Sequence, residues 1–176
     1  MKKSVFKILN IVAFSVATLT LTNCGSNDPD IIITPPASEV IENLQSGIMN
    51  GNLDESFTLN SNIIYNLNSS FIVESGVTLT IPAGTRIQAS NGGTSVYIAI
   101  LKGGKIDVQG TSSSPVVMTS VSENPGDWGG LTICGDATTT AGANAEAEVG
   151  GFIYGGINDA DNSGSINYLV IKGTGA

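Results

Sequence analysis

An all-β chain wound as a right-handed, single-stranded parallel β-helix is the fold this sequence predicts, and three observations predict it. A short phrase recurs. It reads Leu79-Thr80-Ile81-Pro82-Ala83-Gly84-Thr85, then Ile106-Asp107-Val108-Gln109-Gly110-Thr111, then Leu131-Thr132-Ile133-Cys134-Gly135-Asp136. Phe57-Thr58-Leu59 is a partial earlier copy and Leu169-Val170-Ile171-Lys172-Gly173-Thr174 a later one. A phrase repeated every twenty-odd residues marks a stacked solenoid, because no copy is long enough to bury its own apolar face. The composition agrees: 22 glycines and only 12% charged residues suit strands and turns in a single domain. Between the copies, further short apolar runs alternate with Asn, Ser and Gly turns, giving three strands per circuit.

Within each copy the period-2 core places two apolar side chains on one face and the middle residue on the other. Stacking the copies would then align Leu79, Ile106 and Leu131 in one buried ladder and Ile81, Val108 and Ile133 in a second. Other strands are expected at Ile63-Tyr65, Phe71-Val73, Arg86-Ile87, Val96-Leu101 and Val116-Thr119. The middle residues are Thr58, Thr80, Asp107, Thr132 and Val170. Asp107 and Val170 interrupt the threonine row, which argues against a regular ice- or mineral-binding face.

The start of the chain reads as an export signal. Met1-Lys2-Lys3 and Lys7 precede an apolar run from Ile8 to Leu21, too short to span a bilayer comfortably. Residues 1–23 are therefore expected to be a signal peptide. Leu21-Thr22-Asn23-Cys24 resembles the lipobox of bacterial lipoproteins, with Asn23 where that family prefers a smaller residue. The resemblance implies lipidation of Cys24 and a membrane partner reached through a lipid anchor. Residues 24–37 form an acidic and proline-containing tether, ending in Pro35-Pro36. Its segment Ser26-Asn27-Asp28-Pro29-Asp30 resembles the acidic tags of surface-exported lipoproteins of Bacteroidota, which implies an outer-membrane address facing the exterior.

Residues 38–176 are the expected β-helix domain, with an N-terminal cap over 38–56. Val40, Ile41, Leu44 and Ile48 have helical spacing and Ser38 is placed to cap, so a helix would cover the open end of the stack. An irregular strand around Leu44 to Ile48 is the alternative.

Gly76-Val77-Thr78-Leu79-Thr80-Ile81-Pro82-Ala83-Gly84-Thr85, Lys102-Gly103-Gly104-Lys105-Ile106, Gly126-Asp127-Trp128-Gly129-Gly130-Leu131 and Asp161-Asn162-Ser163-Gly164 occur in that order. Together with Pro115-Val116-Val117-Met118-Thr119-Ser120 they resemble secreted β-helix proteins of Bacteroidota. The resemblance covers about Asn43 to the end and implies the fold without a settled activity. Members of that family are typically longer, so the chain is expected to be truncated after Ile171.

The residue inventory narrows the chemistry. The sequence contains no histidine, which removes histidine-based triads, metal sites and acid–base catalysis. After residue 23 the basic residues are Arg86, Lys102, Lys105 and Lys172, against 15 acidic ones. A surface so acidic repels nucleic acid. If Cys24 carries lipid, Cys134 has no disulfide partner and reads as a small side chain packed at a turn. Arg86, the one arginine, reads as a solvent-facing strand residue rather than a lyase-type base.

Two candidate sites remain. Asp159, Asp161 and Ser163 place oxygens at alternate positions ahead of Gly164, like the start of an EF-hand-type calcium loop, although Val170 stands where a bidentate Glu is needed. An Asx-rich turn entering a strand accounts for the same residues. Trp128 has the chemistry to stack on a sugar ring or to seal a corner. The function expected is a non-catalytic binding or structural role at the cell surface, toward glycans or surface proteins. The alternative is a fragment of a β-helix polysaccharide lyase or glycoside hydrolase whose catalytic rungs lie beyond residue 176.

Overall fold

The computed structural model describes residues 38–175; the leader, Cys24 and the tether lie outside the described residues. One helix, α1 (Glu39–Gln45), is followed by thirteen strands. These are β1 (Ile48–Leu53), β2 (Phe57–Thr58), β3 (Ile64–Val73), β4 (Thr78–Pro82), β5 (Arg86–Ala89), β6 (Gly93–Ile100) and β7 (Lys105–Gln109). After them come β8 (Val116–Ser120), β9 (Trp128–Ile133), β10 (Ala145–Glu146), β11 (Ile153–Tyr154), β12 (Gly164–Asn167) and β13 (Leu169–Ile171).

The helical spacing around Ser38 forms the helix rather than the irregular strand. Ser38 Oγ accepts a hydrogen bond from the Ile41 N–H at 3.4 Å, satisfying one donor of the first turn. Glu39 and Glu42 in that turn complement the helix dipole. The helix buries Ile41 and Leu44 and packs on β1. It ends at Gly47, whose φ of 84° no L side chain adopts readily. A Cβ there would also sit 3.0 Å from the Ile64 carbonyl oxygen.

From β1 onward the winding is parallel. Each circuit visits three faces. On the first face β3 pairs with β5, β5 with β8 and β8 with β13. On the second, the far end of β3 pairs with β6 and β6 with β9. On the third, β2, β4, β7 and β12 follow one another. β3 bends to serve two faces, its Ile64–Leu67 half lying on the first and Phe71–Val73 on the second. β1 does the same against β3, with a register break between Met49 and Gly51.

Register decides what lies inside. The first face carries the ladder Tyr65, Ile87, Met118, Ile171. The second carries Leu53, Val73, Ile100, Ile133. The third carries Ile81, Val108, Ile166. Tyr65 and every other member is buried until the final coil, where Ile133, Ile166 and Ile171 are 38%, 45% and 38% exposed. Tyr65 enters the interior with its hydroxyl satisfied, accepting from the Asn60 N–H at 2.7 Å; burial pushes its pKa up.

The expected stacking of the phrase copies holds for the first two and fails for the third. Leu79 lies over Ile106 and Ile81 over Val108. Leu131 instead lies over Ile98 on the second face, and Ile133 over Ile100. The rung that continues Ile106 and Val108 is β12, reached only 58 residues after β7. Strands of every face share the same period-2 pattern, so the phrase marks a strand without saying which face it occupies. Leu169 likewise belongs to the first face, over Val116.

The delay before β12 is an insertion spanning 134–163. It contains the one antiparallel pair among the described residues, β10 with β11. It folds back over the second face, where the Phe152 ring meets Tyr97 edge-on at 6.0 Å.

A ladder member in the middle of the stack has neighbours above and below, whereas one in the final coil is covered on one side. Ile100→Ala should therefore cost about 2–4 kcal/mol of unfolding free energy in a denaturant titration, and Ile166→Ala about 1 kcal/mol or less. Equal costs would contradict the stacking order.

Candidate functional site

The third face displays its middle residues to solvent, and there the chain forms a shallow, open groove of about 290 Å³. Thr78, Lys105, Asp107, Asn162 and Ser165 line it, with Ile106 and Gly164 at its floor. Alternation along β7 buries Ile106 and Val108 and turns Lys105, Asp107 and Gln109 outward. Register sets Thr78 beside Lys105, and Thr80 and Ser165 on either side of Asp107. The floor requires glycine at 164: a Cβ on that residue, with φ at 121°, would run into the Ile106 carbonyl.

Asp107 is fixed from two directions. Ser165 Oγ donates to its Oδ1 at 2.7 Å and Gln109 Nε2 to its Oδ2 at 2.7 Å. The serine first, and then the glutamine amide, hold its carboxyl below the usual carboxylate range. Asn162 Oδ1 accepts from the Gly164 N–H at 2.8 Å, which leaves the two amide hydrogens of Asn162 free to donate. Among the described residues Lys102 pairs with Asp136 at 3.0 Å and Lys172 with Glu123 at 3.2 Å. Among the described residues Lys105 has no carboxylate within ion-pairing distance.

The residues singled out in the sequence lie elsewhere. Trp128 is completely buried, and its indole N–H donates to the Lys172 carbonyl at 2.8 Å. A ring with no face in solvent cannot stack on a sugar, so Trp128 seals the interior between β9 and the turn after β13, and the ligand-binding role is corrected. Asp127 beside it organises a turn, accepting on Oδ2 from Ser120 Oγ, Ser122 Oγ and the Asn124 N–H. The two serine hydroxyls hold its pKa down.

Asp159, Asp161 and Ser163 close the neck of the insertion. Asp161 Oδ2 accepts from the Asp136 N–H and from Ser163 Oγ, both at 3.1 Å. Asp159 Oδ1 accepts from the Thr138 N–H at 3.0 Å, and Thr138 holds the Asp159 pKa down. Backbone bonds from Gly155 to Gly135, Gly156 to Ala137 and Asn158 to Asp136 complete the seam. Among the described residues no group of three or more Cys, Asp and Glu side chains is placed to hold a metal ion.

Cys134 is buried beneath this seam. Burial pushes its thiol pKa up, against a smaller downward pull from the Lys102 charge, which is the setting of a packing residue. Arg86 stands exposed on β5 between Ile64 and Val117 of the neighbouring strands, as a solvent-facing strand residue.

The sequence pointed past the groove because its members come from β4, β7, β12 and the end of the insertion. The one available signal was Asp107, an acidic residue in a row of threonines.

The fold and this face define an all-β parallel solenoid with a shallow outer groove. Residues 51–176 match the model of the pectate-lyase like beta helix domain, and the chain belongs to that family. No curated protein and no solved structure matches it.

If the aspartates close the insertion without a metal, a chelator leaves the protein's melting temperature unchanged. Asp161→Ala, by removing an acceptor from the Asp136 N–H, then costs about 1–3 kcal/mol and opens the insertion to limited proteolysis. A melting temperature that rises with calcium and falls with chelator would restore the calcium-loop reading.

Proposed function

We propose that the protein is a lipid-anchored β-helix displayed at the outer-membrane surface, where it binds glycans or neighbouring surface proteins without catalysis. The observation that supports this most is the state of the groove's carboxylate. Asp107 is occupied by Ser165 and Gln109, its pKa is moved away from neutrality, and no second carboxylate lines the groove. Glycoside hydrolysis uses a pair of carboxylates with separated pKa values, and a general base works best with its pKa near the operating pH. An aspartate held by a serine and a glutamine beside a lysine suits recognition instead.

The anchor is carried by the sequence. Cys24 follows an export signal and precedes a polar stretch in the sequence, so lipidation there would attach the chain to the membrane by its first mature residue.

The second reading is a carbohydrate-active enzyme built on this fold, favoured by the likeness of its family to pectate lyase.

Both readings meet one experiment on intact cells expressing the full chain. Binding display predicts that the protein fractionates with membranes and is removed by external protease. Cys24→Ser should move it to the soluble fraction, and incubation with polysaccharides should release no new reducing ends or unsaturated products. Membrane retention by the Cys24→Ser variant would refute the anchor, and product release would establish the enzyme.

A further inference from the structure

We infer that the groove across β4, β7 and β12 binds the vicinal hydroxyls of a neutral sugar unit, which rests on the binding role proposed above and gives it a ligand class. A sugar diol presents oxygens that each donate and accept, so its site needs acceptors and donors side by side. Asp107 supplies the acceptors. Each of its oxygens already takes one hydrogen bond, and each retains a lone pair for a ligand hydroxyl. Lys105, two residues along the same outward edge and therefore about 7 Å away, supplies donors to the same ring. Asn162 adds its free amide hydrogens from the rim.

Charge separates this ligand from an anion. The groove holds one lysine and one aspartate among its lining residues, so it carries no net charge to attract a phosphate, sulfate or carboxylate, and Asp107 repels one. The hydrogen-bonding groups of Lys105, Asp107 and Asn162 separate it from a wholly apolar ligand. No aromatic ring lines the groove, and Ile106 at its floor is buried beneath the strand surface. The volume of about 290 Å³ falls just below the range of small-molecule sites, roughly 300 to 1,000 Å³. It therefore holds a short part of a chain rather than a long one.

The groove is also prepared in advance. Asp107 is locked by Ser165 from the next coil and Gln109 from its own strand. Little side-chain entropy remains to be lost there on binding. Thr58, Thr80, Asp107 and Ser165 form one outward row across four successive strands. An oligosaccharide lying along the stack would meet hydroxyls on either side of the central aspartate.

The test is a titration of the full chain in detergent with a panel of neutral gluco-, manno- and xylo-oligosaccharides, alongside uronate and sulfated oligosaccharides. At least one neutral member should bind, and its periodate-oxidised form, with vicinal diols cleaved, should not. Lys105→Ala and Asp107→Ala should each weaken binding about tenfold or more, and Arg86→Ala on the first face should leave it unchanged. Lys105 is exposed, so its variant tests the groove even if Asp107→Ala perturbs folding. Preferential binding of the anionic sugars, strengthened by Asp107→Asn, would overturn the neutral-diol assignment. Neutral binding that survives both groove substitutions would place the ligand elsewhere and overturn the site while sparing the binding role. Absence of binding to every sugar would overturn the ligand class, and retained capture of surface proteins would then carry the binding role alone.

Discussion

Register is the constraint from which the rest of this structure follows. A parallel strand pair places residue over residue, and on two faces of this coil the residues placed over one another inside are aliphatic: Leu53, Val73, Ile100 and Ile133 on one, Ile81, Val108 and Ile166 on the other. A slip by one residue on any strand would turn its inward set to water and its polar set to the interior. The same locking acts outside. Because Ile106 and Val108 must face inward, Lys105 and Asp107 must face outward, and the partner strands bring Thr78 and Ser165 to them. The groove is thus a by-product of core packing. Its geometry is as firm as the ladder beneath it.

The corners are held differently from the faces. There the backbone leaves the ladder, and side chains take over as hydrogen-bond partners. Asp127 gathers two serine hydroxyls and a backbone N–H in the turn before β9. Asn50 donates to Asn68 across neighbouring coils, and Asn52 to Glu74. The insertion uses the same device at larger scale, with Asp159 and Asp161 closing its neck and Val149 resting over Gly129. A Cβ on Gly129 would approach Val149 to 3.0 Å, so the close packing of the insertion on the second face depends on a residue without a side chain. The acidic residues that resemble a metal loop in the sequence hold the neck through backbone amides and a serine hydroxyl.

Much of the fold was legible because its signals are local. The alternation in Leu79-Thr80-Ile81 and Ile106-Asp107-Val108 reports a half-buried strand wherever it occurs, and the Ser38 cap and the apolar spacing through Leu44 report the helix. The assignment of strands to faces was not legible, as Leu131 demonstrates: its phrase matches the third-face copies, yet the chain between them advances by two faces, and only pairing reveals it. Trp128 could be read as a sugar platform because composition gives an aromatic residue no address. Its burial depends on the chain that returns at Lys172 and Thr174. The groove was the least legible feature. Asp107 and Ser165 are 58 positions apart, and no spacing rule joins residues separated by an insertion of arbitrary length.

The most direct measurement of the register is disulfide formation between outward positions of neighbouring strands, in a Cys24→Ser, Cys134→Ala background. Adjacent parallel strands hold facing Cα atoms about 4.8 Å apart, within the range a disulfide spans. Asp107→Cys with Ser165→Cys should therefore oxidise readily to an intramolecular bridge, and Asp107→Cys with Thr132→Cys should not. A bridge in the second pair and none in the first would put β9 where β12 belongs and contradict the winding, the core and the groove together.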